Sequence, residues 1–110
     1  MMELDEVLFI VEGKTDKRKL LEVVPASSNI ICTNGYIDEE ALLELLEPYE
    51  MYEFVTLFDA DFNGNFYRKI MNRIYPEALQ LEIPQVYKEV AETPAHILKL
   101  MLQKHNVKVI

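Results

Sequence analysis

The sequence has little of several residue types, and each shortage excludes a class of protein. It has one cysteine, Cys32, which cannot form an internal disulfide, and a lone thiol in an apolar run is typical of a small core residue in a reducing compartment. No apolar run approaches the roughly 20 residues of a membrane span, and the N-terminus is acidic where a signal peptide is basic. One cysteine and two histidines make no zinc motif. We therefore expect a cytoplasmic chain with no membrane segment.

The chain does contain enough apolar material for one domain. It has 110 residues, of which 50% are hydrophobic. A domain of that length buries roughly 65% of the surface of its unfolded chain. No repeat, low-complexity segment or linker divides the sequence. We therefore predict a single domain over residues 1–110.

The charge is unbalanced in number and in position. The 19 acidic and 11 basic residues give a formal net charge of −8. This argues against a protein that coats nucleic acid by electrostatics alone, because such binding depends on lysine and arginine neutralising phosphates. Segment 38–53 contains seven acids and no basic residue, whereas seven of the 11 basic residues lie in segments 14–19 and 68–73. We expect the acidic segment to repel nucleic acid and direct it to the opposite edge.

Short apolar runs alternate with segments of helical periodicity. Continuous apolar runs are typical of strands that are covered on both faces of a parallel sheet. Three such runs predict central parallel strands at 7–11, 30–33 and 54–58, and residues 78–83, before Pro84, are predicted as a fourth strand. The predicted helices are 15–24, 38 to Pro48, about 65–75 and 94–104. This alternation predicts an α/β fold in three layers, with the tail 106–110 as either an edge strand or a frayed end.

Several polar and sulfur-containing side chains have structural roles in this scheme. Thr15 or Asp16 is predicted to cap the first helix, and we favour a capping role for Asp16 over a catalytic one. Asp38 is predicted to cap the second helix. Three methionines at helical spacing are expected to fill the core: Met51, Met71 and Met101.

Carboxylates directly follow two of the predicted strands. Glu12 ends the first strand, and Asp59 and Asp61 end the third, so parallel pairing would gather all three at one edge of the sheet. In extended backbone the two aspartates project to the same side, about 6.5 Å apart, and a divalent cation would relieve their repulsion. Oxygen ligands with room for water suit Mg²⁺ or Mn²⁺. An isolated pair of strand-end aspartates is more often solvated than bound to a metal ion. The neighbouring residues therefore decide whether this pair is a metal site.

That setting combines glycine with positive charge. Gly13 follows Glu12, Gly35 follows the second strand, and Gly64 follows the aspartates. Flexible backbone and helix N-termini attract phosphate. The basic residues nearest to them in sequence are Lys14, Lys17, Arg68 and Lys69. The pattern therefore predicts a metal ion that meets a phosphate.

Two segments carry a family resemblance. Residues 11–16 (VEGKTD) and 57–64 (LFDADFNG) resemble the signature motifs of the Toprim domain, which is shared by topoisomerases, DnaG-type primases, OLD-family nucleases, a recombination-repair protein and the ribonuclease that matures 5S ribosomal RNA. The sequence is most similar to the N-terminal Toprim domain of that ribonuclease. This domain has a similar Thr-Asn-Gly at its second strand, residues 33–35 here, and a similar Arg-Lys pair, Arg68 and Lys69 here.

The resemblance covers residues 7 to about 75 and implies a fold and a metal site. The implied fold is Rossmann-like, with a central, mainly parallel four-stranded sheet flanked by helices. Glu12 is implied as a general acid/base or a metal ligand, and Asp59 and Asp61 as ligands of Mg²⁺. Gyrase-type topoisomerases carry a third aspartate where this chain has Asn63, which weakens a second metal site. Relatives continue into further domains, so the chain resembles a Toprim domain standing alone.

Three functions compete on this basis. The first is a Mg²⁺-dependent phosphodiester or phosphoryl-transfer enzyme, a nuclease acting on RNA or DNA. Its catalytic residues would be Glu12 and Lys14, and its phosphate-binding residues would be Gly13, Gly35, Gly64, Arg68 and Lys69. The second is a non-catalytic metal-binding module for nucleic acid or a partner protein, favoured by the small size and the −8 charge. The third, a response-regulator-like or dinucleotide-binding fold, is weaker because the chain lacks the Gly-x-Gly-x-x-Gly loop.

Two tyrosines near strand ends remain open to two interpretations. Tyr36 and Tyr67 could stack on a nucleic-acid base, as aromatic side chains do in proteins that bind single strands. Partial packing in the core is the expectation that we favour for both. A tyrosine nucleophile of the topoisomerase kind is not expected, because the family's nucleophiles lie outside the Toprim domain.

Overall fold

The computed structural model describes residues 6–110, and the first five residues lie outside the described part. The described chain alternates strands with helices. The strands are β1 (Val7–Val11), β2 (Asn29–Cys32), β3 (Glu53–Phe58) and β4 (Leu79–Glu82). The helices are α1 (Lys14–Leu20), α2 (Glu39–Leu46), α3 (Phe62–Ile74) and α4 (Ala95–Lys104), with short 3-10 turns at Glu47–Tyr49 and Val90–Glu92. No helix within residues 6–110 is long and apolar enough to cross a membrane.

The strands form one sheet in the order β2-β1-β3-β4, and every pair is parallel. One row of partners crosses the whole sheet: Ile31, Ile10, Thr56 and Gln80. The Thr56 hydroxyl lies 3.2 Å from Oε1 of Gln80, which links the last two strands through their side chains. The predicted α/β fold with a parallel four-stranded sheet is confirmed.

Both faces of the sheet are covered, because alternate strand residues enter two separate apolar clusters. On one face Phe9 packs in a cluster with Leu98 of α4 and with residues of α1. On the other face Ile10 packs in a cluster with Leu42 of α2 and Met71 of α3. The three layers follow from this arrangement, and burial on both faces explains why the central strands β1 and β3 are almost continuously apolar.

The first helix is shorter than predicted and is capped by another residue. Helix α1 ends at Leu20, and residues 21–24 form turns. Its N-cap is Gly13, so the prediction of Thr15 or Asp16 as the cap was wrong. Asp16 is the third helical residue, and its Oδ2 accepts a hydrogen bond from the Gly13 N–H at 3.0 Å. The carboxylate therefore reaches back from inside the helix to the cap.

The third helix begins earlier than the predicted residue 65. It starts at Phe62 because Asp61 serves as its N-cap, with Oδ1 accepting a hydrogen bond from the Gly64 N–H at 2.8 Å. Asp38 caps α2 as predicted, accepting from the N–H of Ala41 at 2.9 Å. Gly64 thus lies within the first turn of a helix rather than in a flexible loop.

Two segments outside the helices also differ from expectation. The tail is neither an edge strand nor frayed, since Val107 is 3% exposed and the N–H of Ile110 donates to the carbonyl of Val23 at 2.9 Å. Met71 lies in the core as predicted, whereas Met51 is 96% exposed. The prediction that Met51 fills the core was wrong, because Met51 lies in a turn after the end of α2, where helical spacing no longer applies.

Candidate active site at the carboxyl edge of the sheet

The ends of β1 and β3 lie side by side at the centre of the sheet. From β1 the chain continues to β2 on one side, and from β3 it continues to β4 on the other. Ligands of parallel α/β sheets bind at such a reversal of strand order, beyond the carboxyl ends of the strands. Glu12 directly follows β1 and Asp59 directly follows β3, so the fold brings these two predicted site residues together.

A hydrogen bond joins the two residues. The backbone N–H of Asp59 donates to Oε2 of Glu12 at 2.7 Å. Burial raises the pKa of Glu12 to about 7; the Asp59 N–H opposes this, and the negative charges of Asp59, Asp61 and Asp16 add to it. A carboxyl group that titrates near neutrality can both accept and release a proton under physiological conditions.

Asp59 is held in place by the segment that precedes α4. Its Oδ1 accepts a hydrogen bond from the Val90 N–H at 2.7 Å, and the neighbouring Ala60 N–H donates to the Lys88 carbonyl at 2.7 Å. Burial raises the pKa of Asp59, and the charges of Asp61 and Glu89 raise it further. No role was predicted for residues 84–93, because a backbone N–H donor leaves no mark in the residue types.

Asp16 ties α1 to the same segment. Its side chain is buried; Oδ2 accepts a hydrogen bond from the Gly13 N–H, and the nearby backbone of Ala91 favours the ionised form and so opposes the rise in the pKa of Asp16. Burial and the charge of Asp59 raise the pKa of Asp16 to about 6. Asp16 therefore belongs to the carboxylate group of the site, although its observed contacts are structural.

Gly64 fits the site for a steric reason. A Cβ atom at position 64 would lie 1.8 Å from the carbonyl oxygen of Asp59. Only glycine lets the first turn of α3 approach the end of β3 this closely. The N–H of Gly64 is used by Asp61, so its predicted part in phosphate binding stays a prediction.

Arg68 braces the backbone on which Asp59 lies. Its guanidinium donates to the carbonyls of Phe58 and Asp59 at 3.3 and 3.1 Å, and its Nε lies 3.8 Å from the carboxylate of Glu82. Its side chain is only 12% exposed. The phosphate-binding role predicted for Arg68 stays a prediction, and the observed contacts make it a support for Asp59.

The remaining predicted phosphate-binding residues lie on both helical layers and in the loop after β2. Lys14 is the exposed first residue of α1, on one face of the sheet, and Lys69 is exposed on α3, on the other. Gly35 has a φ of +93° and follows Asn34 at +56°, so the loop after β2 turns in the left-handed region that glycine adopts readily. Lys14 thus lies where α1 begins beside the carboxylates, whereas Lys69 lies about two helical turns into α3.

The chemistry of the carboxylates suits a divalent cation, but their arrangement does not close around one. Burial and neighbouring negative charge raise the pKa of Glu12 and of Asp59, so Mg²⁺ or Mn²⁺ would stabilise the ionised forms of both carboxylates. In the described part of the chain, however, no three His, Cys, Asp or Glu side chains come close enough together to hold a metal ion. The reason lies in the contacts above, because Glu12, Asp59 and Asp61 each direct one oxygen at a backbone N–H.

Of the two tyrosines considered for base stacking, Tyr67 is buried and Tyr36 is exposed. Tyr67 is fully buried; its hydroxyl donates to the Gly35 carbonyl and accepts from the Ile37 N–H at 3.0 Å. Tyr36 is 67% exposed, with its ring centroid 5.0 Å from that of Phe66. The expectation of core packing therefore holds for Tyr67 and was wrong for Tyr36.

Comparisons with known proteins identify the family. No family model matches the sequence. The chain is 40% identical over 109 residues to the uncharacterized protein YusF of Bacillus subtilis (strain 168), covering 99% of this chain and 74% of that protein. It also matches the solved structure of a small TOPRIM domain protein from Bacillus stearothermophilus with a TM-score of 0.87 and 36% identity, covering 100% of this chain and 91% of that one. This chain belongs to the Toprim family.

The Toprim assignment gives the carboxylate edge a specific meaning. Toprim domains generally bind Mg²⁺, and in this Toprim domain the acidic side chains of both signature motifs lie at the switch point of the sheet. Asp16 and the segment 84–93 also belong to this site. Asp16 is hydrogen-bonded to Gly13, and the segment is hydrogen-bonded to Asp59 through the Val90 N–H.

Proposed function

We propose that this Toprim domain is a Mg²⁺-dependent phosphodiester or phosphoryl-transfer enzyme that acts as a nuclease on RNA or DNA. The pairing of Glu12 with Asp59 at the switch point carries the proposal, because the Asp59 N–H holds the Glu12 carboxylate beside the aspartates at the end of β3. Asp59 and Asp61 would hold the metal ion, with Glu12 as a further ligand or as the proton acceptor. A bound ion would polarise a phosphoryl oxygen and neutralise the charge that develops there.

Residues of the chain would carry out proton transfer and phosphate binding. Glu12 takes a proton from the attacking water and returns one to the leaving oxygen. Lys14 contacts the phosphate from α1 and Lys69 from α3, while the backbone at Gly13 and Gly35 lines the approach. Arg68 acts through the carbonyl of Asp59, which it fixes. We place the protein in the cytoplasm, where a half-buried thiol such as Cys32 stays reduced.

The direct test is cleavage of end-labelled RNA and DNA strands by the purified protein in Mg²⁺ or Mn²⁺. We expect cleavage that EDTA abolishes and that Glu12→Gln slows by on the order of 100-fold, the usual contribution of a general base. Glu77→Gln is the matched control, because Glu77 is an exposed carboxylate just before β4, at the other edge of the sheet. Undiminished cleavage by an Asp59→Asn, Asp61→Asn double variant would overturn the proposal.

The resemblance to the 5S ribosomal RNA maturation ribonuclease favours RNA over DNA as the substrate. The Thr-Asn-Gly of residues 33–35 and the pair Arg68 and Lys69 are similar to the Toprim domain of the 5S ribosomal RNA maturation ribonuclease. We therefore expect faster cleavage of an RNA strand than of a DNA strand of the same sequence. Equal rates would remove this preference and leave the nuclease proposal intact.

A second function, binding without catalysis, is favoured by one observation. Within residues 6–110 no three potential ligands converge, and Asp59 and Asp61 are both engaged by backbone N–H groups. A module of this kind would form a salt-sensitive complex with nucleic acid or a partner protein and would turn over no substrate. Binding of labelled strands with no cleavage in either metal would support it over the enzyme.

A further inference from the structure

Three aromatic rings lie beside the carboxylate edge. Phe62 directly follows Asp61 and is 87% exposed. Tyr36 directly follows Gly35 and is 67% exposed. Phe66 lies one helical turn after Phe62, and its ring is tilted by 31° against that of Tyr36. Two exposed rings and one half-buried ring thus stand where β2 and β3 end.

These rings rest on a rigid base. The ring of Phe66 meets that of Tyr67 at 5.6 Å, and Tyr67 is fully buried in the core. The Tyr67 hydroxyl bonds the backbone on both sides of Tyr36, at Gly35 and Ile37. The main chain that carries Tyr36 is therefore already fixed, and a ligand that stacks on its ring bears less of the cost of ordering it.

Positive charge continues the same surface along α3. Lys69 lies seven residues after Phe62 and three after Phe66, so helical periodicity puts the three on one face. Arg73 lies another turn along, but its guanidinium is paired with Glu39 of the acidic segment, so Lys69 carries the positive charge that this face offers to a strand. Aromatic rings followed by a lysine on a path leading away from a phosphate-binding edge are typical of surfaces that bind single strands, whose bases stack while cations follow the backbone.

We propose that Tyr36 and Phe62 form a base-stacking platform that selects single-stranded nucleic acid at the carboxylate site. This inference rests on the proposed function, because it names the substrate class for the same site. A duplex cannot use the platform, since its bases are stacked on one another and only unpaired bases can be splayed onto a protein ring. Each ring contributes through the π-face of a base, so the selection is for strandedness rather than for sequence.

The test measures binding by fluorescence anisotropy in EDTA, which prevents turnover. The probes are a labelled single strand, a strand of equal length with abasic sites in place of the bases, and a duplex. We expect the wild-type protein to bind the base-bearing strand most tightly. Tyr36→Ala and Phe62→Ala should each weaken that complex by about 5- to 150-fold and leave the abasic complex unchanged, whereas Tyr36→Phe and Phe62→Tyr should retain affinity.

Met51→Ala is the matched control, because Met51 is an exposed apolar side chain just before β3, at the far edge of the sheet. Equal loss of affinity for the abasic strand, or no loss for the base-bearing strand, would overturn the platform. In that case cleavage by the wild-type protein in Mg²⁺ would leave the proposed function standing. A partner protein whose binding is lost in Phe62→Ala, with strand affinity unchanged, would also overturn the platform. If the protein neither binds nor cleaves any of the strands, both the platform and the proposed nuclease function are overturned.

Discussion

Oε2 of Glu12 lies 2.7 Å from the backbone nitrogen of Asp59, and this hydrogen bond connects the residue after β1 to the residue after β3. It fixes the Glu12 carboxylate at the centre of the carboxyl edge. The group is half-buried among other acids, and its pKa of about 7 means that its protonated and ionised forms coexist near neutrality in the metal-free protein. A metal ion bound at this site would compete with that proton.

The first prediction concerns the stability of the metal-free protein. The folded pKa of Glu12 is about 7 against an ordinary value of 4.5, and that of Asp16 is about 6 against 3.8. The folded state binds more protons between these limits, so the contribution of both groups is fully present below about pH 4 and is lost as pH rises through 7. Thermal unfolding in EDTA should show a melting temperature that falls from pH 5 to pH 8. Glu12→Gln should flatten this slope and Glu77→Gln should not.

The second prediction is the effect of a divalent cation on the same curve. If Mg²⁺ binds here as proposed, it binds the ionised carboxylates, so its stabilising effect should be larger at pH 8 than at pH 5.5. Thermal unfolding with and without Mg²⁺ at the two pH values measures the difference. An equal shift at both, or a shift that survives in the Asp59→Asn, Asp61→Asn double variant, would place the ion elsewhere.

The third prediction compares two glycines. Gly64→Ala would put a Cβ atom 1.8 Å from the Asp59 carbonyl oxygen, so α3 or the end of β3 must move. We expect a loss of about 1–3 kcal/mol in the free energy of unfolding, measured by chemical denaturation, together with a loss of activity. Gly13→Ala is the control, because the nearest atom to its new Cβ would be Oδ2 of Asp16 at an ordinary 3.8 Å. Similar losses at both positions would contradict this explanation.

The fourth prediction compares two tyrosines. Tyr67→Phe leaves the Gly35 carbonyl and the Ile37 N–H without the hydroxyl that they share, at a cost of about 1–3 kcal/mol in stability. Tyr36→Phe removes a hydroxyl from an exposed ring and should leave stability unchanged. Hydrogen exchange at the amide of Ile37 should accelerate in the first variant only. Unchanged exchange there would show that other contacts hold the loop.

The fifth prediction separates the neighbours Arg68 and Lys69. Arg68→Lys removes the fork that donates to the carbonyls of Phe58 and Asp59, so we expect a loss of about 1.5–3 kcal/mol in stability. Lys69→Met removes an exposed charge and should preserve the melting temperature while weakening the binding of nucleic-acid strands. Equal stability of the two variants would show that Arg68 does not brace the strand end.

The architecture was accessible from sequence because three of the strands lie in short apolar runs, and the fourth, β4, lies in an alternating segment that ends at Pro84. All four predicted strands overlap the observed ones, and the pairing is parallel as expected. The errors lie at ends of elements: residues 21–24 leave the first helix, and α3 begins at Phe62. Such boundaries depend on which residue caps the helix. Here the Asp61 side chain accepts the Gly64 N–H and makes Phe62 the first helical residue.

By itself the sequence determined which residue types meet at the edge of the sheet, since parallel strands must bring Glu12 and Asp59 to the same side. Only the tertiary structure decided what those carboxylates bond, because their donors are backbone N–H groups such as that of Val90, in a segment with no side-chain signature. It also decided that Tyr67 is buried and Tyr36 exposed. Burial depends on the packing of elements that are distant in sequence, and residue type alone does not specify it.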